Sequence, residues 1–181
     1  MQDLRAAGFT IIEIIVTMVL ISIISVVVMS RIIGGNTFNG IIVRDQIISL
    51  ARAAQQNSLG RADVKMTITP NAGATEVTIA TNYGAVNIAN VTVPMSSLSL
   101  SGDVNDTDSC ATGGGGADAI TLAAPMTIAF GKLADLGSSG VSGGASTGPV
   151  SSAVRVCLNN DPALSVCFSP SGFAYTGDCD V

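Results

Sequence analysis

The chain has 181 residues, of which 48% are apolar, 12% are charged and 4% are aromatic, and its formal net charge is −5. It contains no histidine, which excludes a serine–histidine or cysteine–histidine nucleophile pair and removes the commonest zinc and haem ligand. The acidic balance is a poor match to a nucleic-acid backbone. The composition therefore indicates a non-enzymatic protein of about one domain.

The first predicted element is an apolar helix over the run from Ile11 to Ser30. Twenty helical residues span about 30 Å, the thickness of a bilayer core, and in lipid a helix satisfies its own backbone even when β-branched residues dominate. No small-residue cleavage site follows the run, as an ordinary secretory signal would require. A plain membrane anchor fits the length but gives no reason for Glu13, the only ionisable side chain between Ala6 and Ser30.

The residues Gly8-Phe9-Thr10-Ile11-Ile12-Glu13, followed by the apolar run, resemble the processing site of type IV prepilins and type II secretion pseudopilins. The resemblance implies a leader over 1–8, cleavage between Gly8 and Phe9 by a prepilin peptidase, and N-methylation of Phe9. It also implies a transmembrane and assembly helix over 9–31. Asp3 offsets Arg5 in the leader, a departure from the positive charge that is usual in the family.

A carboxylate at membrane depth costs at least about 2.5–3.5 kcal/mol, so it normally has a function and a partner. No Lys or Arg of the same helix lies close enough to Glu13. The resemblance implies that Glu13 is an assembly residue, which meets the free amine of Phe9 on a neighbouring subunit. The alternative is a tolerated glutamate that reaches the lipid headgroups.

The helical pattern continues over 32–60 as an amphipathic second half. Gly34 and Gly35 interrupt it and predict a hinge, because each glycine costs about 1 kcal/mol relative to alanine inside a helix. The helix should fray between Ser58 and Gly60. One apolar stripe is predicted to face the core: Val43, Ile47, Leu50, Ala51 and Ala54. A second set is predicted to be exposed and to contact neighbouring subunits, unless the head covers it: Phe38, Ile41, Ile42 and Ile48.

Strand-like segments alternate with turns over 61–181 and predict a periplasmic β-rich head. The predicted strands are Val64–Thr69, Glu76–Ala80, Val86–Val93, Ala119–Leu122, Met126–Phe130, Ala153–Leu158, Leu164–Phe168 and Phe173–Thr176. Two segments are predicted to be loops, Ser101–Ala117 and Gly137–Pro149. The predicted fold class is α+β and pilin-like, with a long N-terminal helix packed on a mainly antiparallel sheet.

The predicted loop from Ser101 carries an acidic cluster of Asp103, Asp106 and Asp108. Its oxygens could hold Ca²⁺, but the glycine and terminal glutamate of an EF-hand are missing. We therefore expect a solvated acidic loop, no metal and no cofactor. Residues 103–181 carry only Lys132 and Arg155 against eight aspartates, so DNA is an unlikely partner.

The four cysteines are predicted to form two disulfides in an oxidising periplasm. Four cysteines allow three connectivities. Cys157 and Cys167 lie on the two arms of a predicted hairpin around 159–162, which favours pairing them and leaves Cys110 to pair with Cys179. Free buried thiols are the alternative.

The segments Val154–Cys157 and Val166–Gly172 look like the final strands of GspH/FimT-type minor pilins, of which an MSHA-type minor pilin is one kind. The resemblance implies a structural subunit of a type IV pilus or related pseudopilus, held in the bacterial inner membrane and then in the pilus. Its partners would be other pilin subunits, the pilus assembly machinery and the prepilin peptidase/methyltransferase. The alternatives are a type II secretion pseudopilin and a tip adhesin. An enzyme has no support, since Glu76 is the only glutamate outside the apolar run.

Overall fold

The computed structural model describes residues 10–32, 35–95, 98–105, 110, 118–136, 140–142, 148–177 and 179. Of residues 26–32, 35–37 and 118 it describes the backbone alone. Two helices come first, α1 over Ile11–Ile32 and α2 over Gly35–Ser58, and ten strands follow in this part of the chain. All strand pairs are antiparallel. The predicted α+β fold class is confirmed.

The strands form two five-stranded sheets that lie against α2. Sheet 1 has the order β3-β2-β1-β6-β7. Its strands are β1 (Val64–Pro70), β2 (Glu76–Tyr83), β3 (Val86–Pro94), β6 (Met126–Phe130) and β7 (Val141–Ser142). Sheet 2 has the order β10-β9-β8-β4-β5. Its strands are β4 (Leu100–Val104), β5 (Asp118–Ala119), β8 (Val154–Leu158), β9 (Asp161–Phe168) and β10 (Ala174–Thr176).

The core lies between α2 and the inner faces of both sheets. In β1, β2 and β6 buried and less buried residues alternate, so that every second side chain enters the core, whereas every side chain of β8 is buried. The sheets approach each other closely at Gly102 of β4, where a Cβ atom would meet the side chain of Met126 on β6. The predicted stripe of α2 is confirmed, since all its members are buried: Val43, Ile47, Leu50, Ala51 and Ala54.

The arc that α2 buries is wider than its sequence predicted. Phe38 and Ile41 are exposed as expected, but Ile42 is half-buried against the core and Ile48 is buried. The prediction of an exposed Ile48 is therefore wrong. The reason is that α2 packs on strands of both sheets, which covers two neighbouring faces of the helix.

α2 ends at Ser58, where the sequence predicted fraying. Gly60 has a φ of +75°, a left-handed conformation that glycine adopts readily at helix ends. Its amide donates a 2.9 Å hydrogen bond to the carbonyl of Lys132 in the β6–β7 connection. The end of the helix is thereby attached to sheet 1.

Both predicted loops contain strand residues. Most of β4 lies in the segment from Ser101 that was predicted to be a loop. Its serine, glycine and aspartate are typical of loops, but pairing with β8 makes the segment a strand. β7 lies within the predicted loop Gly137–Pro149. The strand predicted over Ala119–Leu122 is shorter, since β5 ends at Ala119.

The four cysteines form two disulfides, as predicted, but the pairing differs from the favoured one. Cys110 is bonded to Cys157 and Cys167 to Cys179, with Cα–Cα distances of 5.8 and 5.3 Å. The pairing of Cys157 with Cys167 and of Cys110 with Cys179 is therefore wrong.

The register of the β8–β9 hairpin explains the error. Its turn is centred on Asn159 and Asn160, which both have a φ of 55°, a conformation that asparagine tolerates in two-residue hairpin turns. A register shift follows, so that Cys167 lies opposite Arg155 and not opposite Cys157. Residues offset by two positions are about 7–8 Å apart across a strand pair, beyond the usual Cα–Cα distance of a disulfide.

Candidate functional site

α1 starts with a capping arrangement at Thr10. The Thr10 carbonyl accepts hydrogen bonds from the amides of Glu13 and Ile14 at 3.1 and 3.3 Å, and its Oγ1 lies 3.4 Å from the Glu13 amide nitrogen. A threonine followed three residues later by glutamate is the capping-box pattern. Glu13 therefore occupies the third helical position, where a carboxylate interacts favourably with the helix dipole. The Thr-x-x-Glu spacing of this pattern is readable in the sequence.

The described side chains of α1 are all exposed from Ile11 to Ser25. Eleven of them are large and apolar: Ile11, Ile12, Ile14, Ile15, Val16, Met18, Val19, Leu20, Ile21, Ile23 and Ile24. A contiguous apolar surface of this size marks a site of contact with protein or lipid. The apolar half of the N-terminal helix is thus available for contacts outside its own chain.

The hydroxyl groups on this surface have partners within the helix itself. Thr17 Oγ1 donates to the Ile14 carbonyl at 2.9 Å, and Ser22 and Ser25 donate to carbonyls four residues earlier at 2.7 Å each. Glu13 carries the one acidic or basic group among the described side chains of α1. Within the described residues its carboxylate forms no hydrogen bond and no ion pair. Glu13 is therefore the polar group of α1 that has most to gain from an external partner.

The predicted processing residues Gly8 and Phe9 lie outside the described residues, and so does Gly34 of the predicted hinge. Gly35 is the first residue of α2. Cleavage, methylation and the hinge remain predictions. No helix in the described part of the chain is both long enough and apolar enough to cross a membrane.

A groove of about 450 Å³ runs along the exposed side of α2, next to the edge strand β10. Its charged side chains are Asp45 and Arg52. The Arg52 guanidinium lies 5.8 Å from the centre of the Phe173 ring, which is stacked on Tyr175 with 6.3 Å between ring centres. The full lining is Asp45, Ile48, Ser49, Arg52, Ala53, Gln56 and Thr176. The groove thus has a mixed polar and apolar lining, and Arg52 connects it to the Phe173 ring.

Asp103, the described member of the acidic cluster, does not lie in a solvated loop. Asp103 lies on β4, is 5% exposed and faces Arg155 of β8. The prediction of a solvated Asp103 is therefore wrong, because strand pairing places it opposite a buried arginine. Asp106 and Asp108 lie outside the described residues. Within the described ranges, no three His, Cys, Asp or Glu side chains are placed to hold a metal ion together.

Comparison with known proteins identifies the N-terminal segment. Residues 3–29 match the family model of the prokaryotic N-terminal methylation motif, a range that contains Glu13 and most of α1. Neither the curated proteins nor the solved structures give a match to the chain. Residues 3–29 therefore carry a prokaryotic N-terminal methylation motif, and in this segment the chain is similar to type IV prepilin-like proteins.

Proposed function

We propose that the chain is a structural subunit of a type IV pilus or a related pseudopilus. In this proposal it is inserted in the inner membrane through 9–31, cleaved between Gly8 and Phe9, N-methylated at Phe9, and assembled through its N-terminal helix. The observation that carries the proposal is the coincidence of the methylation motif over 3–29 with an apolar helix whose described side chains are exposed.

The chemistry of Glu13 supports assembly through this helix. Cleavage after Gly8 would create a free amine on Phe9, and a carboxylate in an apolar medium is stabilised by an opposite charge. An amine of a neighbouring subunit is such a charge, and pairing with it would set the axial position of one subunit against the next. Residues 1–8 would act only as a leader.

Within this class we assign the chain to the minor pilins of the GspH/FimT type, with an MSHA-type pilin as one form. The support is the likeness of Val154–Cys157 and Val166–Gly172 to the final strands of that group. The partners in this proposal are other pilin subunits, the assembly machinery and the prepilin peptidase/methyltransferase. A structural role and not an enzymatic one follows from the same class.

The processing step is tested by the intact mass of the full-length chain with and without the prepilin peptidase. We expect the loss of residues 1–8 and the gain of one methyl group only when the peptidase is present. A Gly8→Val variant, which places a branched side chain at the cleavage site, should keep its full mass. A chain that still starts at Met1 in assembled filaments contradicts the proposal.

The assignment as a minor pilin is tested by the abundance of the protein in sheared filaments relative to the dominant subunit. A small, reproducible fraction supports a minor pilin. Retention in the cell envelope together with a secretion defect on deletion supports the pseudopilin alternative, and loss of surface binding without loss of filaments supports a tip adhesin.

A further inference from the structure

Three exposed apolar side chains belong to one end of the head, at the C-terminal end of α2. They are Leu59, Leu133 and Phe173, with exposed fractions of 63%, 83% and 50%. Each comes from a different segment: the end of α2, the β6–β7 connection and the β9–β10 turn. We call this surface the distal pole.

The first two segments are fixed to each other by backbone hydrogen bonds. The amide of Gly60, next to Leu59, donates to the carbonyl of Lys132, next to Leu133, at 2.9 Å. The β6–β7 connection is in turn bonded to the β9–β10 turn, since the Leu136 amide donates to the Pro170 carbonyl at 2.8 Å. The three apolar side chains are therefore carried by one hydrogen-bonded unit.

α2 holds the third segment in place through two of its own side chains. Gln55 Nε2 donates to the Ser171 carbonyl at 3.2 Å, and the Arg52 guanidinium lies over the Phe173 ring. The distal pole is thus a preorganised surface, and little conformational entropy would be lost when it is covered.

A second apolar surface lies at the other end of α2, the end that joins α1. Phe38 and Ile41, three positions apart and hence on one face, are 58% and 37% exposed. We call this surface the proximal pole. It is separated from Leu59 by about 30 Å along the helix.

The charges beside the two poles have opposite signs. Arg52 and Lys132 are exposed next to the distal pole, and Asp135 in the same connection as Lys132 is partly exposed. Near the proximal pole the carboxylate of Asp45 is 57% exposed, whereas the side chain of its partner Arg44 is only 21% exposed. Asp161, in the hairpin that accepts a hydrogen bond from Arg44, is partly exposed as well. Counted in this way, the distal pole has a net positive charge and the proximal pole a net negative one, and both expose apolar side chains.

We propose that the distal pole of one chain docks on the proximal pole of a second copy, with Leu133 and Phe173 against Phe38 and Ile41. The two poles are different surfaces at opposite ends of the same helix, so the contact is head-to-tail. Such a contact does not close on itself and produces an open, filament-like row. This inference rests on the proposed function, because assembly in one filament gives the chains a common orientation. If the protein is a minor subunit, the contact joins short runs of adjacent copies.

The contact is tested by placing a photo-crosslinking amino acid at Leu133 of the full-length chain in cells that make filaments. We expect an adduct of two copies whose cross-linked peptide contains Phe38 or Ile41, and loss of that adduct in a Phe38→Lys variant. The same crosslinker at Leu122, an exposed leucine outside both poles, should give no such adduct.

No adduct at Leu133, an adduct with another protein, or an adduct that maps elsewhere on the second copy overturns the inference. Non-reducing electrophoresis of each variant shows whether both disulfides, and hence the fold, are retained. The mass of the mature chain in the same sample reports on the proposed function separately. A processed chain without the adduct rejects the contact alone.

Discussion

Arg155 on β8 lies directly opposite Asp103 on β4, with 3.7 Å between its Nη2 and the carboxylate Oδ2 of the aspartate. Both side chains are almost completely buried. Val154 and Val156, on either side of Arg155, belong to the core, so the arginine lies on the opposite face of sheet 2. Cys167 lies opposite Arg155 on β9, and Cys157 follows two positions later on β8. A buried ion pair thus lies between the two disulfides on one face of the sheet.

Replacement of Arg155 by methionine should destabilise the protein strongly, because it removes the positive charge that faces a buried carboxylate. Breaking a buried pair from one side costs about 3–5 kcal/mol, whereas replacing both partners by apolar residues is often neutral. We therefore expect the Asp103→Leu/Arg155→Met double variant to regain most of the loss. The measurement is urea unfolding of the full-length protein in detergent, with the disulfides intact.

The ion pair between Lys65 and Asp63 is the matched control for this experiment. It is shorter, at 2.8 Å, but its side chains are 49% and 53% exposed. Exposed pairs contribute about 1 kcal/mol or less, so Lys65→Met should change the free energy of unfolding little. Equal losses in the free energy of unfolding for Arg155→Met and Lys65→Met would contradict the stronger contribution expected of the buried ion pair.

The two disulfides should differ in how much they stabilise the fold. Cys110–Cys157 closes a separation of 47 residues and Cys167–Cys179 one of 12. In the chain-entropy model these loops correspond to about 4 and about 3 kcal/mol. Paired Cys→Ser variants should therefore lower the free energy of unfolding more for the first bond than for the second. Non-reducing peptide mapping checks the pairing itself, and a Cys157–Cys167 peptide would refute it.

Replacement of Gly172 by alanine should be more costly than replacement of Gly60, although both have a positive φ, of +80° and +75°. A Cβ at Gly172 would collide with the backbone carbonyl of Ala134, while a Cβ at Gly60 would meet open space. We expect a loss of about 1 kcal/mol for Gly60→Ala from the backbone conformation alone. Gly172→Ala should cost about 2–4 kcal/mol, because the turn must also move. Thermal unfolding of the two variants measures the difference. Similar losses of stability would show that the turn around Gly172 can move at little cost, contrary to this prediction.

Replacement of Glu13 by glutamine should reduce assembly without weakening the start of the helix. Glutamine can serve in a capping box, so the variant loses the charge and keeps the cap. Hydrogen bonds to charged groups contribute about 1.5–3 kcal/mol, hence we expect a loss of about ten-fold or more in filament incorporation. The amount of protein in sheared filaments, relative to that in the membrane fraction, is the measurement.

Thr17→Val is the control for the glutamate variant, because the Thr17 hydroxyl already has a partner within its own helix. It should enter filaments at the normal level. Normal incorporation of Glu13→Gln would count against the pairing of Glu13 with a neighbouring amine.

The elements predicted well from the sequence are those whose pattern is local. The alternation predicted over Val64–Thr69 and the stripe through Val43 and Ala54 each follow from the burial of one face, and both are present in the structure. The strand Met126–Phe130 has the predicted bounds. Polar turns delimit these segments, which is why their ends could be placed.

The features missed are those that depend on strand register between distant segments. Asp103 begins the largely polar run 103–109, which predicts a loop, and nothing near it in sequence indicates that β8 pairs with it. The partners of Cys157 and Cys167 depend on a turn placed at Asn159 and on the register shift beyond it. The distal pole likewise joins three segments that are far apart in the chain.

The hydroxyls of Thr17, Ser22 and Ser25 carry their hydrogen-bond acceptors with them, because each acceptor is a carbonyl of the preceding helical turn. Moving α1 between hydrocarbon tails and a bundle of other helices would break none of these bonds. The hydrogen bonding of these hydroxyls is therefore the same in either surrounding. The carboxyl group of Glu13 has no such bond within the described residues, so it is the group of α1 whose satisfaction depends on what surrounds the helix.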